Sequence, residues 1–160
     1  KGWVSDTALS ACLDTIITLN KTACEVAQEF DIHAATDITG FGLAGHGLEM
    51  AEGSGVTIVI TVADVPTMDE ALAMYKKGMT TGVNSENRRL VQEHIAFESG
   101  IPTWHEEIFI DPQTSGGLLL SVAGDQADAL LARLRGAGVD AATLIGKVTA
   151  KSDGVSIRFV

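Results

Sequence analysis

One carboxylate, Asp37, stands in the glycine-rich run Thr36-Asp-Ile-Thr-Gly-Phe-Gly-Leu-Ala-Gly-His46, which reads as a turn opening a helix. A lone acid at such a turn suits a divalent ion shared with phosphates, because Mg²⁺ takes hard oxygen ligands and shares them with substrate oxygens. One acid cannot hold the ion by itself. The competing reading makes Asp37 a helix cap, with Thr39 doing similar work, and composition alone favours the cap. Gly40-Phe-Gly42-Leu-Ala-Gly45 also satisfies G-x-G-x-x-G, follows a short strand signal, and precedes a strand with Asp64 near its end. That is the spacing of a dinucleotide-binding oxidoreductase domain. Against it, an unscreened Asp37 would repel a pyrophosphate, and the elements that follow do not build a Rossmann half.

The remaining polar residues offer weaker constellations. His46 and Glu49 lie three apart on one expected helix, a spacing commonly found in surface contacts. His33, His94 and His105 are scattered and fit solvated or hydrogen-bonded rings. Asp111-Pro-Gln-Thr-Ser-Gly-Gly117 joins a rigid turn former to two glycines that permit close backbone approach, so it caps the fold or lines a cleft. Asn87, Arg88 and Arg89 form the best local anchor for a phosphate, although helical arginines are commonly just solvated. No G-x-S-x-G and no Walker lysine motif occurs, nor an acid pair whose spacing marks glycosidase chemistry. Nothing here is a self-sufficient catalytic centre, which fits half of a divided site.

These groups need elements to position them. Apolar residues at Leu9, Cys12, Leu13, Ile16, Leu19, Ala23, Val26, Ala27 and Phe30 predict one long helix over 7–30, packed on a core. A brief strand at 32–36 leads into the glycine turn and a helix at 41–51. Alternating Thr and β-branched residues predict a strand at 56–62. Pro66 introduces a helix at 68–77 that Gly78 ends. Helical content is expected at 87–97, a short strand at 108–110, a buried strand at 118–122 and a helix at 125–135. Strands at 142–149 and 155–160 close the chain, with Ser152-Asp-Gly154 as their hairpin turn. The elements do not alternate strictly, so the fold class is α+β, a mixed sheet with packed helices, in a single domain over 1–160.

Bulk properties narrow the function classes. Hydrophobic residues make up 46% and charged residues 20%, the balance of a folding globular chain. Eleven Lys and Arg against 21 Asp and Glu give a formal charge of −10, the wrong sign for a nucleic-acid backbone binder. A small anion would need a cation or backbone N–H groups to offset that charge. Cys12 and Cys24 are too far apart for a C-x-x-C pair and read as buried helical thiols. No apolar run reaches the roughly 18 residues of a membrane span, and no signal-peptide pattern is present, so the expected compartment is the cytosol. The start at Lys1-Gly-Trp, without methionine, fits a piece of a longer protein.

The run His33-Ala-Ala-Thr-Asp-Ile-Thr-Gly-Phe-Gly-Leu-Ala-Gly-His46, continued by Leu48-Glu-Met-Ala-Glu-Gly-Ser-Gly-Val-Thr57, closely resembles the selenophosphate synthetase (selenide, water dikinase) family. Segment 111–118 resembles its second hallmark, and Gly82 with Asn87 matches its intervening glycine and asparagine pattern. The likeness spans nearly the whole chain but covers only that family's C-terminal half, a domain shared with aminoimidazole ribonucleotide synthetase and thiamine-monophosphate kinase. It implies that fold, and an enzyme that makes selenophosphate, AMP and orthophosphate from ATP, selenide and water, with Mg²⁺ on the nucleotide phosphates. By resemblance Asp37 becomes a magnesium ligand at an interdomain cleft, with Thr39, Gly40, Gly42 and Asn87 as cofactor-binding residues. It also implies a missing N-terminal domain carrying the reactive Cys or selenocysteine, a homodimer at full length, and an inactive isolated fragment. Neither Cys12 nor Cys24 matches the reactive motif. Ala35 and Ala44 stand where relatives often carry Cys and Leu, a departure expected to affect packing. A non-catalytic interaction module of the same fold is the remaining alternative.

Overall fold

The computed structural model describes residues 2–151 and 154–160. α1 (Asp6–Ile17) starts at Ser5, whose hydroxyl accepts from the Ala8 N–H at 3.1 Å. It ends where Ile16, Ile17 and Thr18 crowd three β-branched residues together. Thr15 and Thr18 bond back to the Ala11 and Asp14 carbonyls, Thr18 is extended, and the chain restarts as α2 (Lys21–Ala27). The expected continuous helix over 7–30 is therefore two helices. It also fails to pack as expected, since Leu9, Leu13 and Ile17 of α1 are exposed. Cys12 is half-buried and Cys24 exposed, both free thiols, so neither is the buried thiol expected.

β1 (Ile32–Asp37) leads through a tight loop into α3 (Gly42–Ser54) and then β2 (Val56–Ile60). A 3₁₀ turn at Val62–Asp64 precedes α4 (Ala71–Lys76), which Gly78 stops at φ +78°, and α5 (Asn84–Val91). β3 (Ile95–Phe97), α6 (Thr103–Ile110), β4 (Leu118–Val122), α7 (Ala127–Gly136), β5 (Gly146–Ala150) and β6 (Ile157–Phe159) complete the order. β1 and β4 make an antiparallel pair. The other sheet runs β3-β6-β2-β5, with β2 parallel to β6 and antiparallel to β5. The class is α+β with a mixed sheet, as expected.

Three expected elements change identity or partner. Residues 108–110 lie in α6 rather than a strand: Glu106 and Glu107 tie this helix to Arg88 of α5, while Phe109 and Ile110 point into the core. A three-residue apolar run cannot distinguish a strand from a buried helical edge. The helix expected at 87–97 starts earlier and stops at Val91, and Ile95–Phe97 instead pairs with β6, Phe97 stacking on Phe159 at 4.5 Å. β5 and β6 flank opposite sides of β2, so they are not a hairpin; Ser152 and Asp153 of the expected turn lie outside the described residues. The dinucleotide reading fails on topology as well, because β1 pairs antiparallel with β4 while β2 sits in the other sheet.

The main core fills the space between the four-stranded sheet and α3, α5 and α6, where Ile60, Ile110, Ile157 and Phe159 are fully enclosed. A second, smaller cluster of Val26, Leu130 and Leu134 joins α2 and α7 beside the β1–β4 pair.

Candidate functional site

Asp37 is the last residue of β1, opposite Leu118. Beyond it the pairing continues through loop backbone: Ile38 N–H donates to Gly117 O, Gly116 N–H to Ile38 O and Gln113 N–H to Thr39 O, each at 2.9 Å. Segments 36–46 and 111–117 are thus one zipped unit. Glycine is required where they touch. A Cβ on Gly116 would lie 2.8 Å from Ile38 O, and one on Gly42, which holds φ +67°, would lie 2.7 Å from Asp111 O.

Asn87 fastens this unit from α5. Its buried amide nitrogen donates to Gly40 O at 2.9 Å and Ile110 O at 3.0 Å, satisfying two carbonyls at once. Inside the elbow, the Thr39 hydroxyl lies 3.0 Å from His46 Nε2, and His46 Nδ1 lies 3.2 Å from a Glu49 carboxylate oxygen. A carboxylate needs a donor, so Nδ1 carries the hydrogen and, in the neutral ring, Nε2 accepts from Thr39. His46 is buried while Glu49 is largely exposed, so the pair links the part-buried Thr39–His46 contact to the surface. The Thr39 link spans seven residues and has no helical-spacing signal, so sequence reasoning missed it.

The Asp37 side chain is exposed, and its carboxylate has no hydrogen bond or ion pair among the described residues. Phe41, not Asp37 or Thr39, is the N-cap of α3, and no side chain caps that helix. The capping alternative is therefore lost for both residues. No group of three or more His, Cys, Asp or Glu gathers to hold an ion among the described residues. An exposed carboxylate without a competing partner fits an ion whose other oxygens come from phosphates, water or a second protein surface.

Asp111, at the start of the second segment, is half-buried. Burial pushes its carboxyl above the ordinary carboxylate range, opposed by the neighbouring Tyr75, Gln113 and Thr81 groups. Its Oδ2 accepts from Gln113 Nε2 at 3.2 Å, while buried Oδ1 has no partner. Burial likewise pushes the Tyr75 phenol up. Arg88, expected as a phosphate anchor, is held by Glu107 at 2.7 and 3.0 Å and by Glu106 at 3.0 Å, so two carboxylates already neutralise it. Arg89 faces solvent. A cleft of about 280 Å³ opens beside the elbow among Phe41, Leu48, Glu49, Glu52 and Leu90. Its two glutamates repel a phosphate.

The family model described as AIR synthase related protein, C-terminal domain, matches residues 13–158. Selenide, water dikinase 2 of Peptoclostridium acidaminophilum is 42% identical over 135 residues, which cover 84% of this chain and 39% of that protein. Selenide, water dikinase of Rhizobium meliloti is 34% identical over 139 residues, covering 87% and 40%. The same-named protein of Agathobacter rectalis is 38% identical over 146 residues, covering 91% and 42%. The chain spans about two-fifths of the length of these relatives.

Proposed function

The chain belongs to the AIR synthase related protein C-terminal domain family, and from that premise we propose that it is the C-terminal half of an ATP-dependent selenide, water dikinase. The full reaction converts ATP, selenide and water to selenophosphate, AMP and orthophosphate. Relatives carrying that name, and about 2.2 times this length, support the assignment. The observation that carries the site is the exposed, unpartnered Asp37 carboxylate on a rigidly zipped loop. Here Asp37 would help hold magnesium, while Thr39, Gly40 and Gly42 would form the wall facing the ATP phosphates. Asn87 belongs to the nucleotide-binding set by fixing the Gly40 carbonyl in place. Magnesium supplies charge neutralisation on the nucleotide phosphates, so the protein's task is chiefly positioning. The glutamates beside Phe41 keep phosphates on the Asp37 side of the elbow.

The other half supplies the remaining aspartates, the reactive Cys or selenocysteine and its Lys, and closure of the two halves assembles the cleft. The complete enzyme works as a cytosolic homodimer in this reading. Among the described residues no helix is long and apolar enough to cross a membrane. The test is Asp37→Ala in the full-length protein. We expect turnover to fall by about 10³-fold with folding unchanged. Full activity in that variant would mark a non-catalytic module. Tight ATP·Mg²⁺ binding by the 160-residue chain alone, measured by calorimetry, would end the half-site reading.

A further inference from the structure

α1 is fixed at both ends and packs Ala8, Cys12 and Ile16 against the protein, while a neighbouring apolar stripe is left uncovered among the described residues. At its start, the Ser5 hydroxyl and N–H donate to the Glu70 carboxylate at 2.6 and 3.1 Å. At its end, the Ser115 hydroxyl donates to Thr18 O at 2.8 Å. Between these tethers Leu9, Leu13 and Ile17 recur every four residues along one stripe, 48, 49 and 73% exposed, and Leu19 just beyond is 77% exposed. A 12-residue helix draws its stability in water chiefly from packing, and the side bearing Ala8, Cys12 and Ile16 supplies only part of what this one could bury. The packing this stripe needs must come from outside the described residues.

We propose that α1 is the docking helix for the companion half of the same polypeptide, an inference that rests on the two-half reading above. Three observations choose this occupant over a second copy of the chain. First, the net charge of −10 opposes self-association, and α1 carries Asp6 and Asp14 with no basic residue. Two α1 helices laid together would set acid beside acid. Second, the relatives have more than half their length beyond the matched region, enough for a whole further domain. Third, the interface is continuous with the Asp37 rim. Ser115, which holds the end of α1, precedes Gly116, which bonds Ile38 next to Asp37. A body seated on α1 reaches the place where the remaining metal ligands are needed. The complementary surface is an apolar groove with Lys or Arg at its edge to meet Asp6 and Asp14.

The experiment compares amide hydrogen exchange over 6–17 in the 160-residue chain and in the full-length product of its gene. Exchange should be at least about tenfold slower in the longer protein. Leu13→Gln with Ile17→Gln should restore fast exchange there. In the 160-residue chain the same pair should leave the melting midpoint unchanged, because both side chains already face water. Equal exchange in the two proteins overturns the proposal, as does a gene encoding no further domain. A dimer of the 160-residue chain that the double variant dissolves, seen by sedimentation, assigns the face to a second copy and also overturns it. Dikinase turnover measured on the same samples separates the two readings. Slowed exchange without turnover supports the docking helix and removes the reaction; turnover with unslowed exchange does the reverse.

Discussion

Asp37 and Asp111 stand on two segments hydrogen-bonded to each other, in opposite environments. Among the described residues Asp37 is exposed and unpartnered; Asp111 is half-buried, with one oxygen bonded to Gln113 and the other enclosed without a partner there. Burial raises Asp111 toward its neutral form, whereas the Asp37 carboxylate lies open to an approaching cation. Both acids belong to the motifs that carry the family resemblance. Only one is in a position to meet a ligand from outside. The lesson is that an acid in a hallmark motif is read by its surroundings: the free one is the ligand candidate, and the enclosed one helps hold the loop.

The sharpest way to break this comparison is to exchange the outcomes. Asp37→Ala should abolish most turnover, about 10³-fold or 4 kcal/mol of barrier, with urea unfolding shifted by less than about 0.5 kcal/mol. Equal damage to stability would place Asp37 with Asp111 as a structural acid. Next in size, Asn87→Ala leaves Gly40 O and Ile110 O without their donor, and should cost about 2–3 kcal/mol in the same unfolding measurement. A neutral result would mean that the zipped loops need no strap.

Asp111→Asn sharpens the other side. The folded-state pKa of Asp111 is raised, so between the ordinary carboxylate value and that raised value the folded chain holds the extra proton. Its contribution to stability is therefore largest at low pH and falls as pH rises through the raised value. Urea titrations from about pH 4 to 7 should show that downward component in the natural chain and its loss in the variant. An unchanged profile would remove the burial argument. The smallest effect belongs to Glu49→Gln, whose side chain is mostly exposed. It should cost about 0.5–1 kcal/mol, by weakening the carboxylate contact that orients His46 toward Thr39.

The glycine elbow is legible from sequence because Gly40, Gly42 and Gly45 recur within a short run, although the carbonyls that demand glycine at 42 and 116, Asp111 O and Ile38 O, arrive from across the fold. The strand at Val56–Ile60 and the helix at Ala127–Gly136 were legible for a similar reason, since their periodicity is long enough to speak for itself. What stayed hidden was decided across the fold. Arg88 looked like a phosphate anchor until α6 brought two glutamates to it, and those same contacts hold 103–110 helical. Asn87 matched a family pattern, yet its bonds to Gly40 and Ile110 join positions 47 and 23 residues away. Spacing predicts a buried face for the stripe on α1, because it reports that a face is apolar and not what covers it. The break before α2 lies in backbone bonding by Thr15 and Thr18, a local effect that overrides the continuous apolar pattern.

The position of β6 carries a consequence for how the molecule is made. This strand, which ends one residue before the end of the sequence given, is inserted between β3 and β2 and, among the described residues, is the only strand that β3 pairs with. Val62 N–H donates to Val160 O, Val160 N–H to Ile60 O and Glu98 N–H to Phe159 O, stitching in the last residues. During synthesis the elbow and its partner segment emerge well before this strand, so the loops can meet while the larger sheet is still open. Closure must wait for Ile157 and Phe159, whose side chains complete the main core. A nascent chain stalled short of them would expose the unfinished edge of β2, the form of the molecule most open to capture by a chaperone.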